Sequence, residues 1–331
     1  MTSSSKSRWW PLIKLLPVQT NFRFMRYAKV YAALSLVATI AAVALTVLPF
    51  KPPCAGLNCG VDFRGGTVLE LTTAPRDADL GRIRGTVSAM GMGDVQVQAF
   101  GKPTDVRLSF ETPLRENPAQ AVERVKARLT QELGQVRYTR TEVVGPKVSG
   151  ELFTKGVAAL LLAIGLMLVY IWFRFGLTFG VGAVVALFHD VILTFGLFAL
   201  TRLEFNLTSV AAILTIIGYS MNDTVVVLDR VRENLRKYKK MPLGELIDLS
   251  VNETLSRTLI TGVTGLMALG GLAIFGGEAL FSFSVAMIFG IIIGTYSSIF
   301  VAAPVLLMLG VKRGDEAEPV DLSVGTRSQR P

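Results

Sequence analysis

Apolar residues fall into long uncharged runs separated by short polar breaks. Five runs cover 30–50, 156–173, 205–222, 258–277 and 279–311, and a sixth, 175–201, is interrupted only by His189 and Asp190. A hydrocarbon core of roughly 30 Å takes about 20 helical residues, so each run can make one crossing. The pattern predicts a polytopic α-helical membrane protein with six transmembrane helices at 29–49, 153–173, 177–200, 207–228, 258–275 and 281–309.

Between the first two helices, over 50–152, the period changes to two. Residues 62–73 read as a strand, 77–90 as a helix, and 94–100 with 105–111 as a hairpin about Lys102 and Pro103. Asn117 and Pro118 make an N-cap and first-turn pair for a helix to Leu133, with Val122, Val125 and Leu129 on its apolar face. A strand over 135–144 closes the order strand, helix, strand, strand, helix, strand, which is the α+β ferredoxin-like arrangement.

Composition agrees with a membrane reading, since 51% hydrophobic and 18% charged residues exclude an ordinary soluble enzyme. The net charge of +9 is unevenly placed: residues 1–49 carry six basic and no acidic residues, and 230–257 carry seven basic against four acidic. By the positive-inside rule the basic segment 1–28, the connection 229–257 and the tail 310–331 are expected in the cytoplasm and the 50–152 domain in the periplasm. The basic excess thus orients a membrane protein, and no nucleic-acid partner is expected. Residues 8–18 (RWWPLIKLLPV) read as a segment lying on membrane lipids. The run behind them is too long for a signal-peptide core and lacks a small-x-small site, so an uncleaved first helix is expected.

The soluble insert offers no catalytic constellation. Gly65 and Gly66 suit a tight turn, because neither GKS, GKT nor GxGxxG accompanies them. Cys54 and Cys59 are either a small disulfide-closed loop or two reduced cysteines, and no metal or other cofactor is expected. Ionisable groups inside spans are functional suspects, because lipid does not solvate them. Asp223 is the sharpest; Arg257 opens the fifth helix and Thr261 follows one turn deeper. Antiparallel helices would bring the three to similar depths, as a proton relay or as a static ion pair. His189 and Asp190 point about 100° apart on one helix, so at most one is expected to face a given partner. Together with Asn222 they are candidate supporting groups.

Five segments carry a resemblance: VDFRGG at 61–66, VVGPKVSGE at 143–151, HDV at 189–191, GYSMNDTVVVLDRVRE at 218–233 and NETLSRTLITG at 252–262. Together they resemble the SecF family, the smaller membrane subunit of the bacterial SecDF translocation accessory complex, within the resistance-nodulation-division superfamily. The resemblance implies a non-enzymatic subunit of the inner membrane that works with SecD beside the SecYEG channel and SecA. It implies use of the proton-motive force to help draw preproteins across. It also implies a relay of Asp223, Arg257 and Thr261, completed by an aspartate that SecD supplies.

Overall fold

The computed structural model describes residues 20–48, 54–113 and 116–311; the 8–18 segment and the 312–331 tail lie outside them. After a 3-10 turn (Phe24–Tyr27), helix α1 spans Ala28–Val47. Two short elements follow, β1 (Asn58–Cys59) and the helical turn α2 (Val61–Arg64). The soluble domain then comprises β2 (Gly66–Thr72), α3 (Leu80–Ser88), β3 (Gln96–Phe100), β4 (Lys102–Phe110), α4 (Pro118–Leu133) and β5 (Arg137–Val144). The helical region consists of α5 (Pro146–Thr201), β6 (Glu204–Phe205), α6 (Leu207–Lys237), α7 (Leu243–Phe275), α8 (Glu278–Ser297) and α9 (Ala303–Leu309).

The sheet order is β3-β4-β2-β5, every pairing antiparallel, as the βαββαβ order requires. Alternation decides its two faces. Leu69, Leu71, Val106, Leu108 and Phe110 point to one side and close a core with Ile83 of α3 and Val122, Val125 and Leu129 of α4. Asn117 caps α4 through Ala119 N–H, with Pro118 in the first turn, where the sequence places them. Two expectations are corrected. Residues 61–64 form a helical turn, ended by Gly65 at φ +78°, and the strand begins only at Gly66. The hairpin turns on Gly101 (φ +66°), leaving Lys102 and Pro103 inside β4. Pro103 is tolerated because β4 pairs with β2 only from Asp105 onward.

Among the described residues, five helical stretches are long and apolar enough to cross a membrane: Phe24–Val47, Pro146–Thr201, Leu207–Lys237, Leu243–Phe275 and Leu280–Leu309. The 56-residue α5 would be about 84 Å long if straight, far beyond a bilayer core. It is not straight. Gly176 (φ 70°, ψ −176°) breaks it into 146–175 and 177–201, each long enough for one crossing. The break is held from α6, where Arg232 donates to the Arg174 carbonyl at 3.5 Å and Asp229 pairs with Arg174 at 2.6 Å.

The 229–257 connection is helical over most of its length, because α6 and α7 run past their apolar stretches. Polar contacts hold these extensions together: Arg230 binds Glu253 and Glu233, and Asn234 donates to Ser250 (3.0 Å) and Glu253 (2.8 Å). α6 sits centrally, packed on α5, α7 and α8, while α1 lies along α5. Glycines set the closest approaches. A Cβ on Gly196 would lie 2.5 Å from the Ala42 Cβ and 3.0 Å from its Cα, and one on Gly290 would lie 2.3 Å from Ile216. A π turn, Ser298–Ala302, joins α8 to α9 and absorbs the helical bond that Pro304 cannot donate.

The soluble domain is rooted on the α5–α6 connection. β1 pairs in parallel with β6, Arg202 donates to the Gly56 carbonyl at 2.7 Å, and Asn58 donates to the Arg202 carbonyl at 3.0 Å. A Cys54–Cys59 disulfide closes the loop that makes these contacts. Asp62 of α2 accepts from Leu207 N–H at 3.0 Å, so the turn that the sequence reads as strand caps the start of α6.

Candidate functional site

Asp223 lies near the middle of α6 and is buried, 3% exposed. Its Oδ2 has no hydrogen-bond partner among the described residues, and the same holds for the buried hydroxyls of its neighbour Thr224 and of Thr258 on α7. The depth of these groups follows from one contact: Tyr219 Oη donates to the Thr261 carbonyl at 2.8 Å. Asp223 is one turn beyond Tyr219, Arg257 is one turn before Thr261, and α6 and α7 run antiparallel through a tight turn. Asp223 and Arg257 therefore stand at one level, together with three unpartnered buried polar atoms.

The details of the triad differ from a closed ion pair. Among the described residues no ion pair within 4 Å joins Asp223 to Arg257, whose side chain is exposed on α7. Carboxylate and guanidinium are thus separated by a gap of more than 4 Å. Thr261 is half-buried and spends its hydroxyl on the Arg257 carbonyl at 2.9 Å, so it shapes the α7 backbone between the two residues. Asn222 is exposed on the outer side of α6, away from this cluster.

His189 and Asp190 are both buried, at 5% and 1% exposure. They bond to each other, His189 Nδ1 to Asp190 Oδ1 at 2.9 Å, while their remaining partners differ. Asp190 Oδ2 accepts from Ser220 of α6 and from Ser297 of α8 at 2.7 Å. The Asp190 carbonyl accepts from Thr194 at 2.7 Å. Sequence reasoning missed Ser220, Ser297 and Tyr219, whereas Thr258 stands beside Arg257 at the start of the fifth apolar run. Ser220 and Tyr219 lie inside the GYSMND segment that already drew attention, whereas Ser297 is one small hydroxyl in an apolar run and sends no signal of its own.

Outside the spans, the helix-free face of the sheet carries Glu70, Arg107 and Arg140. Arg107 pairs with Glu70 at 2.8 Å and reaches Glu204 of the α5–α6 connection at 3.6 Å. A cleft of about 280 Å³ opens between this face and the connection, lined in part by Arg64, Asp94, Arg107 and Glu204. Burial pushes the Glu204 carboxyl above the usual carboxylate range, and the Arg107 charge only partly offsets it.

Ionisable residues buried between long apolar helices, with a soluble α+β domain rooted on a helix connection, define a polytopic membrane subunit of the transport class. Residues 124–312 match the family described as protein export membrane protein SecD/SecF, C-terminal, and residues 55–75 match the SecD/SecF GG motif. The protein translocase subunit SecF of Rickettsia felis is 44% identical over 305 residues, 91% of this chain and 96% of the relative. That of Rhodobacter capsulatus is 44% identical over 320 residues, 92% and 93% of the two chains. Among solved structures, the translocon-associated membrane protein SecDF of Thermus thermophilus is similar with a TM-score of 0.77 and 33% identity. The match covers 88% of this chain and 39% of that one. The chain belongs to the SecF family of protein translocase subunits, and is a membrane protein of protein transport.

Proposed function

We propose that this chain is a non-enzymatic, proton-coupled accessory subunit of preprotein export in the inner membrane, working with SecD at the SecYEG channel that SecA feeds. Protons are the only coupled species, and no cofactor takes part. In this reading α5 crosses twice about Gly176, giving six spans, with both termini in the cytoplasm and the sheet domain in the periplasm. The observation that carries the proposal is Asp223, a buried carboxyl with an unpartnered oxygen at the level of Arg257. A carboxyl so placed can take a proton or turn toward the guanidinium, and the gap between them leaves room for both states. A permanent ion pair would close that gap, so the geometry favours the relay over a static scaffold. Thr261 fixes the α7 backbone along which the exchange runs.

The test is preprotein translocation in energised vesicles with SecD, SecA and ATP supplied equally and the gradient imposed or collapsed. Asp223→Asn should lose gradient-dependent stimulation while the chain still assembles with SecD. Normal stimulation in that variant would refute the relay.

A further inference from the structure

The proposed relay makes no use of His189 and Asp190, yet this pair is the more completely built of the two buried polar sites. Two hydroxyl donors, Ser220 and Ser297, converge on Asp190 Oδ2, and His189 Nδ1 meets Oδ1. An ionised carboxylate only accepts, so this set complements the charged form. That assignment fixes the imidazole. Nδ1 carries the hydrogen and Nε2 is left as a bare acceptor, buried and without a partner among the described residues.

The surroundings hold the ring in place. His189 stacks on Tyr296 of α8 with centroids 6.1 Å apart and planes at 27°, and the Tyr296 hydroxyl meets Ser35 of α1 at 2.9 Å and the Tyr31 carbonyl at 3.4 Å. Four helices thus contribute to one polar site. The titratable groups that face it are Tyr296 from α8, Tyr31 from α1 and, along α6, Asp223 with Arg257 of α7 beyond it. Ser220 and Asp223 are three residues apart on α6 and share a helix face. The π turn begins directly after Ser297, so the backbone can adjust there more readily than in a regular helix.

We propose that His189 and Asp190 form a second proton-binding site of this subunit. Nε2 of His189 takes up one proton by forming an N–H bond, Asp190 holds the resulting imidazolium, and the pair passes from net charge −1 to 0. Release breaks the same bond and restores the neutral imidazole. The inference deepens the proton-coupled reading above and rests on it for its role in transport, while the binding of the proton is a separate chemical claim.

The sequence contains a single histidine, so the claim can be read directly. Full-length chain labelled with 15N-histidine, purified without a histidine tag and reconstituted in lipid with unlabelled SecD, gives one imidazole in nuclear magnetic resonance spectra. At alkaline pH the expected state has Nδ1 protonated and Nε2 bare, and acidification should protonate both nitrogens. An Nε2-protonated tautomer at alkaline pH, or an imidazole that stays neutral throughout the pH range in which the gradient drives translocation, would overturn the proposal.

The transport arm compares His189→Gln, which hydrogen-bonds but does not titrate there, with Asp223→Asn. Loss of gradient-dependent stimulation in His189→Gln supports the second site, and normal stimulation removes it. If Asp223→Asn alone keeps its stimulation, the Asp223 relay falls and the histidine site stands. Should His189→Gln fail to assemble, the spectrum of the unmodified protein decides.

Discussion

A carboxylate oxygen buried without a partner costs on the order of 1–3 kcal/mol, so Asp223 is held in place against its own hydration. Removing the charge relieves that cost. Asp223→Asn should therefore leave the thermal midpoint equal or higher while gradient-driven translocation is lost, and a midpoint well below wild type would point to a structural carboxylate. Arg257→Lys should recover little of the gradient response, because a compact ammonium does not reproduce the planar fork. Thr261→Val deletes one hydroxyl bond to its own helix, worth about 1 kcal/mol, and should lower translocation less than either charge change does. At this scale the sequence exposed residues by charge: Asp223, Arg257, His189 and Asp190 are conspicuous in apolar runs. Their partners were not legible, because a serine or tyrosine in a span acquires meaning only when another helix is packed against it. Ser297 is 107 residues from the carboxylate it serves.

Elements were legible where one period persists and obscure where two constraints overlap. The apolar runs fall within the long apolar helices, and the Asn117–Pro118 pair located the start of α4. The turn Val61–Arg64 was hidden because four residues are too few for a helical period. The helical nature of 229–257 was hidden for another reason, its polar sequence being stabilised by contacts between α6 and α7. Helix packing yields a paired test. Gly196→Ala places a Cβ against Ala42 backbone and should cost about 1–3 kcal/mol by overpacking α1 on α5. Gly270→Ala meets nothing within 4 Å and should be neutral or stabilising by about 1 kcal/mol. Thermal unfolding in detergent compares them, and equal midpoints would mean that α1 does not pack on α5 at Gly196.

For the whole molecule, orientation and docking of the sheet domain are the open quantities. A tag at Lys102 should be reached from the periplasm and one at Lys239 from the cytoplasm; protease access to Lys102 from the cytoplasmic side would invert the arrangement. Docking should respond to pH through Glu204. Its pKa is raised by burial between the connection and the sheet domain, so protonation favours the docked form. That contribution is fully present below the ordinary carboxylate range and is lost as pH rises through the raised value. Glu204→Gln should flatten this part of the pH dependence of the thermal midpoint, and an unaltered dependence would assign it to another group.

The contact between Asp62 and the first turn of α6 gives the molecule a mechanical property. Sixteen residues of one helix, about 24 Å, separate that cap from Asp223. A hydrogen-bonded helix is stiff along its axis, so the Asp62 contact at its first turn and Asp223 near its middle are joined by one rigid segment. Any tilt of the sheet domain that drags Asp62 also displaces the helix at Asp223, and any repositioning of α6 around Asp223 tugs on the domain's root. Force and charge therefore share one helix, joined to the sheet domain beside the short ladder between β1 and β6.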